Sequence, residues 1–172
     1  MKRNNRQIDT AARASDQSSA NRQTDLHNRQ ISAMRLATPE DLASIERWLK
    51  DEYDRAATGL GFWNNVNIIR NAAREGRLTI LQTPDSSSPV AFCVCDRGYA
   101  NIDILEVHPA YRRQGHGRAL ARHCFNQARL AVAEDITVLC EPNTSVPFWK
   151  AIGFVDIDGS SADCIQMRMV LT

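Results

Sequence analysis

Leu105-Glu106-Val107-His108-Pro109-Ala110-Tyr111-Arg112-Arg113-Gln114-Gly115-His116-Gly117-Arg118-Ala119-Leu120 reads as a strand running through a glycine turn into a helix. Ile102, Ile104, Leu105 and Val107 are apolar or β-branched residues at strand length, and Pro109 ends the run. Gly115 and Gly117 then allow close backbone approach, after which Leu120, Ala121, Cys124, Phe125, Ala128 and Ala131 recur at helical spacing. The first turn of such a helix has unsatisfied N–H donors at the positive end of the helix dipole, so the junction is expected to bind phosphate. Neither common phosphate fingerprint is present. The Walker pattern needs a Gly-Lys-Ser/Thr ending, and the dinucleotide fingerprint needs a third glycine where this chain has Leu120.

What does fit is Arg112-x-x-Gly115-x-Gly117, which resembles the acyl-CoA pyrophosphate loop of the GNAT family of N-acetyltransferases. Downstream, Asn143-Thr144-Ser145-Val146-Pro147-Phe148-Trp149-Lys150-Ala151-Ile152-Gly153-Phe154 is similar to that family's last helix and following strand, which carry an aromatic pair, three residues, then Gly-Phe. Upstream, Met34-Arg35-Leu36-Ala37-Thr38-Pro39-Glu40-Asp41-Leu42 is similar to its opening strand and first helix. The three signals occur in the family's order from about Met34 to the C-terminus. The resemblance implies an α+β (mixed α/β) domain with a central, mostly antiparallel sheet flanked by helices, whose central strands splay apart to admit acyl-CoA. It implies acetyl-CoA as co-substrate and an amine as acceptor.

Composition sets bounds. With 172 residues, 43% of them apolar, the chain has the material of one domain with its own core. A net charge of +1 provides no field of one sign for nucleic acid or an anionic membrane, while Arg112, Arg113 and Arg118 form a local basic patch suited to a small anion. Cys93, Cys95, Cys124, Cys140 and Cys164 lie in apolar runs or helical core positions without paired metal spacing, and read as reduced, buried hydrophobes. No window approaches the ~18 apolar residues of a membrane span. The N-terminus has no apolar signal core, so the expectation is a cytoplasmic protein with no membrane or nucleic-acid partner and no metal.

Met1 to Ala33 is rich in Asn, Arg, Gln, Ser, Thr and Asp without a sustained apolar period, and is expected to be a disordered tail before a domain over 34–172. Thr38 is placed to cap a helix, with Pro39 in its first turn, Asp41 three residues on, and Leu42, Ile45, Trp48 and Leu49 at helical spacing. A second helix is expected over Phe62–Arg74, stopping at Gly76. Strands follow at Leu78–Leu81, Val90–Cys95, Ile102–Val107 and Ile136–Cys140, with Phe154–Ile157 and Cys164–Leu171 as a closing hairpin.

Acyl transfer to an amine requires positioning, a base for the amine, donors for the developing oxyanion and a proton for the leaving thiolate. The resemblance assigns the diphosphate to Arg112, Arg113, Gln114, Gly115, His116, Gly117 and Arg118, with the guanidinium of Arg112 as a ligand. It assigns the pantetheine arm to the backbone of Leu105, Glu106 and Val107. Asn143 and Trp149 complete its cofactor side, although Asn143 also suits a helix cap. For the base, Asp103 ranks first, with Glu106 and Glu141 behind it. Asp103 and Glu106 are an odd number of residues apart and so are expected on opposite sheet faces. His108 is a lesser candidate. Tyr53, Phe62, Trp63 and Asn64 are expected to line the acceptor site. Trp149 stands where many family members have a tyrosine able to protonate the thiolate, and indole has no such acidity. The proton would then come from Tyr99, Tyr111 or water. Two rival readings stay open: a catalytically impaired acyl-CoA-binding module, and an interaction protein docking through its basic N-terminal tail.

Overall fold

In the computed structural model the described residues are 33–56, 61–141, 143–157, 159 and 165–171. The tail expected over Met1–Ala33 therefore lies, but for Ala33, outside the described residues, as does Cys164. Strand β1 (Ala33–Leu36) leads through Thr38 into helix α1 (Pro39–Arg55). The sequence signal for this start is realised as a full capping box. Thr38 Oγ1 accepts from the Asp41 N–H at 3.3 Å, and Asp41 Oδ2 accepts from the Thr38 N–H at 2.8 Å. Asp41 also pairs with Arg35 of β1, which fixes the strand-to-helix angle.

The second helix is shorter than the periodicity predicts. Phe62–Asn65 forms a 3-10 turn, and only Val66–Arg74 is α-helical, as α2. No side chain caps either start, so the first turn tightens to i→i+3 bonding, with the Val66 N–H on the Trp63 carbonyl. Gly76, at φ 67, ends the segment as expected.

Strands β2 (Leu78–Gln82), β3 (Ala91–Cys95) and β4 (Asn101–Val107), helix α3 (His116–Leu130), strand β5 (Asp135–Cys140), helix α4 (Val146–Ala151) and strands β6 (Val155–Asp156) and β7 (Ile165–Val170) complete the domain. The seven strands form one sheet in the order β1-β2-β3-β4-β5-β7-β6, and each neighbouring pair is antiparallel except β4 with β5. That parallel pair is brief. Its register covers only Asn101 with Thr137 and Ile102 with Val138. Beyond it, β5 stays paired to β7 as far as Cys140, and β4 to β3 as far as Val107. The two central strands therefore separate towards their C-terminal ends.

Each face of the sheet has its own core. Ile45, Trp48 and Leu49 of α1 and Ile69 and Ala72 of α2 pack on Ile80, Phe92, Val94 and Ile104. Leu120, Ala121, Cys124, Phe125 and Ala128 of α3 and Trp149 of α4 pack on the other face, against Ala91, Cys93, Cys95 and Ile102. At 25 cal/mol/Å², each such fully buried aliphatic side chain contributes roughly 1.5–3 kcal/mol. Cys93 and Cys95 meet Cys124 with Sγ atoms 3.6 and 3.4 Å apart, all three thiols being buried. Contacts with the neighbouring thiols and burial hold the Cys93 thiol well above its ordinary range. The same thiol contacts lower the pKa of Cys124, so the proton is shared unequally within this buried trio.

A bulge interrupts β4. Val94 pairs with Ile104 and Cys95 with Ile102, leaving Asp103 as the extra residue. Ile102 consequently joins the α3 core and Ile104 the α1–α2 core, although they are two positions apart. The odd spacing of Asp103 and Glu106 thus does not decide their faces, because the period of two fails between them.

Candidate active site

The strand–loop–helix junction forms as the sequence indicates, at the open end of the β4–β5 splay. After β4, His108 caps a 3-10 turn (Pro109–Tyr111), its Nδ1 accepting from the Ala110 N–H at 3.3 Å. Arg113 at φ 66 and Gly115 at φ 88 are both left-handed and turn the chain sharply into α3. Gly115 is the N-cap and lends no side chain, and its carbonyl already accepts from Ala119. The N–H groups of His116, Gly117 and Arg118 find no acceptor among the described residues. Together with the dipole of a 15-residue helix, they make a cradle for an anionic group. A Cβ on Gly117 would meet the Phe148 ring and Val107 Cγ2 at 3.5 Å, so α4 and the end of β4 close directly on the cradle. Arg118, Arg122 and Arg129 line a groove of about 480 Å³ alongside it, which supplies positive charge.

The backbone of β4 faces the splay. The His108 N–H bonds the Val90 carbonyl at 2.9 Å, so strand alternation turns the N–H groups of Leu105 and Val107 towards β5. That of Val107 is met by Glu106 Oε1 at 3.0 Å.

Glu106 lies on the α1–α2 face, opposite Phe92 in the register, with its side chain 12% exposed. Burial raises its pKa above the ordinary carboxylate value, against the opposing pull of Arg112 and the Val107 N–H. Asp103, by contrast, is 34% exposed and bonds Arg77 at 3.4 Å and Asn101. It stands four residues upstream of Val107, on the order of 13 Å along the strand. Glu141 is exposed just past the end of β5.

Arg112 does not reach into the cradle. Its Nε donates to the Val107 carbonyl at 2.9 Å, and its Nη2 donates to Glu52 at 2.7 Å and Glu106 at 3.0 Å, on the α1 side of the sheet. Gln114 folds back to the Ala110 carbonyl at 3.2 Å. Asn143 starts a 3-10 turn, and the N-cap of α4 is Ser145, so the reading of Asn143 as that helix's cap is corrected. Trp149 is 4% exposed, wedged between Phe148 and Phe154 with ring centroids 4.9 and 5.0 Å away. Tyr99 sits in the β3–β4 turn, at the opposite end of those strands from the cradle, whereas Tyr111 lies beside it between His108 and His116.

Of the expected acceptor residues, Phe62 and Trp63 pack partly buried against the α1–α2 core, Tyr53 is half-buried on α1, and Asn64 is exposed. Residues 57–60, between them, lie outside the described residues. Sequence reasoning assigned no site role to two residues on the α1 side of the sheet. Glu52 holds Arg112, and Trp48 stacks edge-on to His108 at 5.1 Å. Their i,i+4 spacing on a capped helix put both on one face, and that was the available signal. The Trp48 indole N–H is buried and has no acceptor among the described residues.

A splayed, mostly antiparallel sheet with an uncapped helix start at its mouth defines an anion-accommodating α+β domain, and comparison with known proteins specifies it. Residues 78–156 match the model of the acetyltransferase (GNAT) domain. An uncharacterized N-acetyltransferase, ycf52 of Pyropia yezoensis, is 28% identical over 125 residues, covering 70% of this chain and 65% of the relative. A GCN5-related N-acetyltransferase structure from Rhodopseudomonas palustris superposes with a TM-score of 0.63 at 24% identity, over 81% of this chain and 96% of that one. A putative acetyltransferase from Salmonella typhimurium, solved with its cofactor acetyl-CoA, gives 0.57 at 16% identity over 82% and 94%. Over residues 78–156 the chain thus matches the GNAT acetyltransferase domain, and its fold is similar to those of the solved GNAT structures.

Proposed function

We propose that this protein transfers the acetyl group of acetyl-CoA to an amine, with Glu106 as general base. The observation that carries the reading is one juxtaposition. The uncapped start of α3 and the buried carboxylate of Glu106 flank the same opening between β4 and β5. The N–H groups of His116, Gly117 and Arg118 suit a diphosphate, and Gly117 supplies the backbone approach that a side chain would block. The thioester supplies the activated acyl group. Glu106 takes a proton from the incoming ammonium, and a raised pKa suits a carboxylate to that task, since a base works best with a pKa near the operating pH. Asp103, first by the sequence argument, ranks behind Glu106 in this reading, since it lies four residues upstream of Val107 and is paired with Arg77. Tyr111, beside the loop, is the better placed of the two tyrosines for the thiolate proton.

The acceptor is a primary amine presented from the α1–α2 side, where Glu52, Trp48 and the Phe62–Trp63 surface lie. Release of CoA thiol from acetyl-CoA, measured with spermidine, free lysine and a peptide with a free N-terminus, tests the assignment. Turnover with at least one of them that Glu106→Gln abolishes is the expected result. Acetyl-CoA binding without turnover on any amine would favour the non-catalytic binding module instead.

A further inference from the structure

We propose that Arg112 is a positioning residue that bridges the cofactor loop to the acceptor-side carboxylates and sets the charge state of Glu106. The inference rests on the reading of Glu106 as the base and extends it. In the sequence, Arg112 opens the Arg-x-x-Gly-x-Gly loop and invites a role as pyrophosphate ligand. In the fold, its guanidinium has three acceptors elsewhere. Nε on the Val107 carbonyl locks the side chain back onto the end of β4, and Nη2 is shared between Glu52 of α1 and Glu106 of β4. The arginine is thus a three-way tie between loop, strand and helix.

Two carboxylates and one guanidinium leave a net charge of −1 at the acceptor side of the opening. The groups facing Glu106 are Arg112 from the loop and Glu52 from α1. His108, two residues further along the chain, sits within the field of Glu52, Arg112 and Arg55, and burial lowers its pKa, which favours the neutral ring. Burial and Glu52 drive Glu106 towards its protonated form, and Arg112 opposes them. Without the guanidinium a buried carboxylate beside a second carboxylate would hold its proton and could not accept one from an ammonium. Arg112 therefore opposes the effect of burial and favours the ionised form of Glu106, which is the form that can accept a proton.

The test needs no acceptor. In protein carrying 13C-labelled glutamate, the pH titration of the Glu106 carboxyl, identified by its absence in Glu106→Gln, is followed by NMR. In Arg112→Gln the midpoint moves up by about one pH unit or more, the effect of removing an opposite charge at this range. In Glu52→Gln it moves down. In Arg112→Lys, which keeps the charge, it stays closer to the wild type than in Arg112→Gln. Acetyl-CoA affinity, measured by calorimetry on the same variants, changes less than tenfold. An unmoved midpoint in Arg112→Gln, or an upward one in Glu52→Gln, overturns the proposal, as does a loss of acetyl-CoA affinity beyond tenfold in Arg112→Gln with the midpoint in place. If Arg112→Gln does not fold, the direction of the Glu52→Gln shift decides. A wild-type protein whose turnover ignores Glu106 would instead remove the proposed base while leaving this titration result standing.

Discussion

At the scale of single residues, the consequential contrast is between two carboxylates on one strand. Glu106→Gln is expected to lower kcat by about 10²–10⁴, the usual worth of a general base, with acetyl-CoA binding nearly intact. Asp103→Asn should leave kcat within about tenfold, a barrier change of roughly 1.4 kcal/mol. Steady-state kinetics of the pair separates the two assignments, and the reverse ranking would return the role to Asp103. Because burial raises the Glu106 pKa, the acidic limb of kcat/KM should lie above the ordinary glutamate value of about 4.3. Trp149 carries a different expectation. Its ring is sealed between Phe148 and Phe154, so Trp149→Ala should cost about 3–5 kcal/mol of stability in denaturant melts, as for other buried aromatics. Both strand carboxylates were visible in the sequence. What was not visible was the bulge at Asp103, since it arises from pairing with β3 and not from the composition of β4.

At the scale of elements, two junctions can be tested. A Gly117→Ala methyl would find ordinary contact distances to Phe148 and Val107, so the variant should fold with a melting temperature near the wild type while losing most of its acetyl-CoA affinity. Gly115→Ala should differ in kind. It forces a side chain into the left-handed region at φ 88, costing about 1–2 kcal/mol before any ligand is added. Thermal melts with and without acetyl-CoA distinguish the two, and full acetyl-CoA stabilisation of Gly117→Ala would count against the cradle. The second junction is the start of α1. Burial opposes the charge on Asp41, but the Arg35 guanidinium and the Thr38 N–H outweigh it and hold its pKa below the usual value. Stability from such a group is fully present above the unfolded pKa, about 3.9, and is lost as pH falls through the lower folded value. Asp41→Asn should therefore cost about 1 kcal/mol or more at pH 7 and progressively less below pH 4. Equal costs at pH 7 and pH 3 would assign the effect to the cap geometry alone. Thr38, Pro39 and Asp41 made this helix start legible, because capping is local chemistry. The split of the second helix was not legible, since Phe62–Arg74 carries the right period and lacks only a cap.

At the scale of the whole molecule, the domain from β1 onward is expected to suffice for the function proposed. A chain beginning at Ala33 should unfold cooperatively and gain as much stability from acetyl-CoA as the full chain, about 2.7 kcal/mol at 100 times Kd. Reduced cooperativity or a smaller gain would show that residues 1–32 contribute to the domain. Local chemistry in the sequence by itself determined the order of elements, the glycine turn at Gly115 and Gly117, the capped first helix and the resemblance to the GNAT family, because propensity, capping and glycine placement act over a few residues. Only the tertiary structure decided where the charges go. The brevity of the β4–β5 pairing, the α1 side chosen by Glu106 and the guanidinium of Arg112 shared between Glu52 and Glu106 all depend on groups up to 60 residues apart in the chain. Such contacts form only when the sheet brings its two faces and the loop together, and no local pattern specifies them.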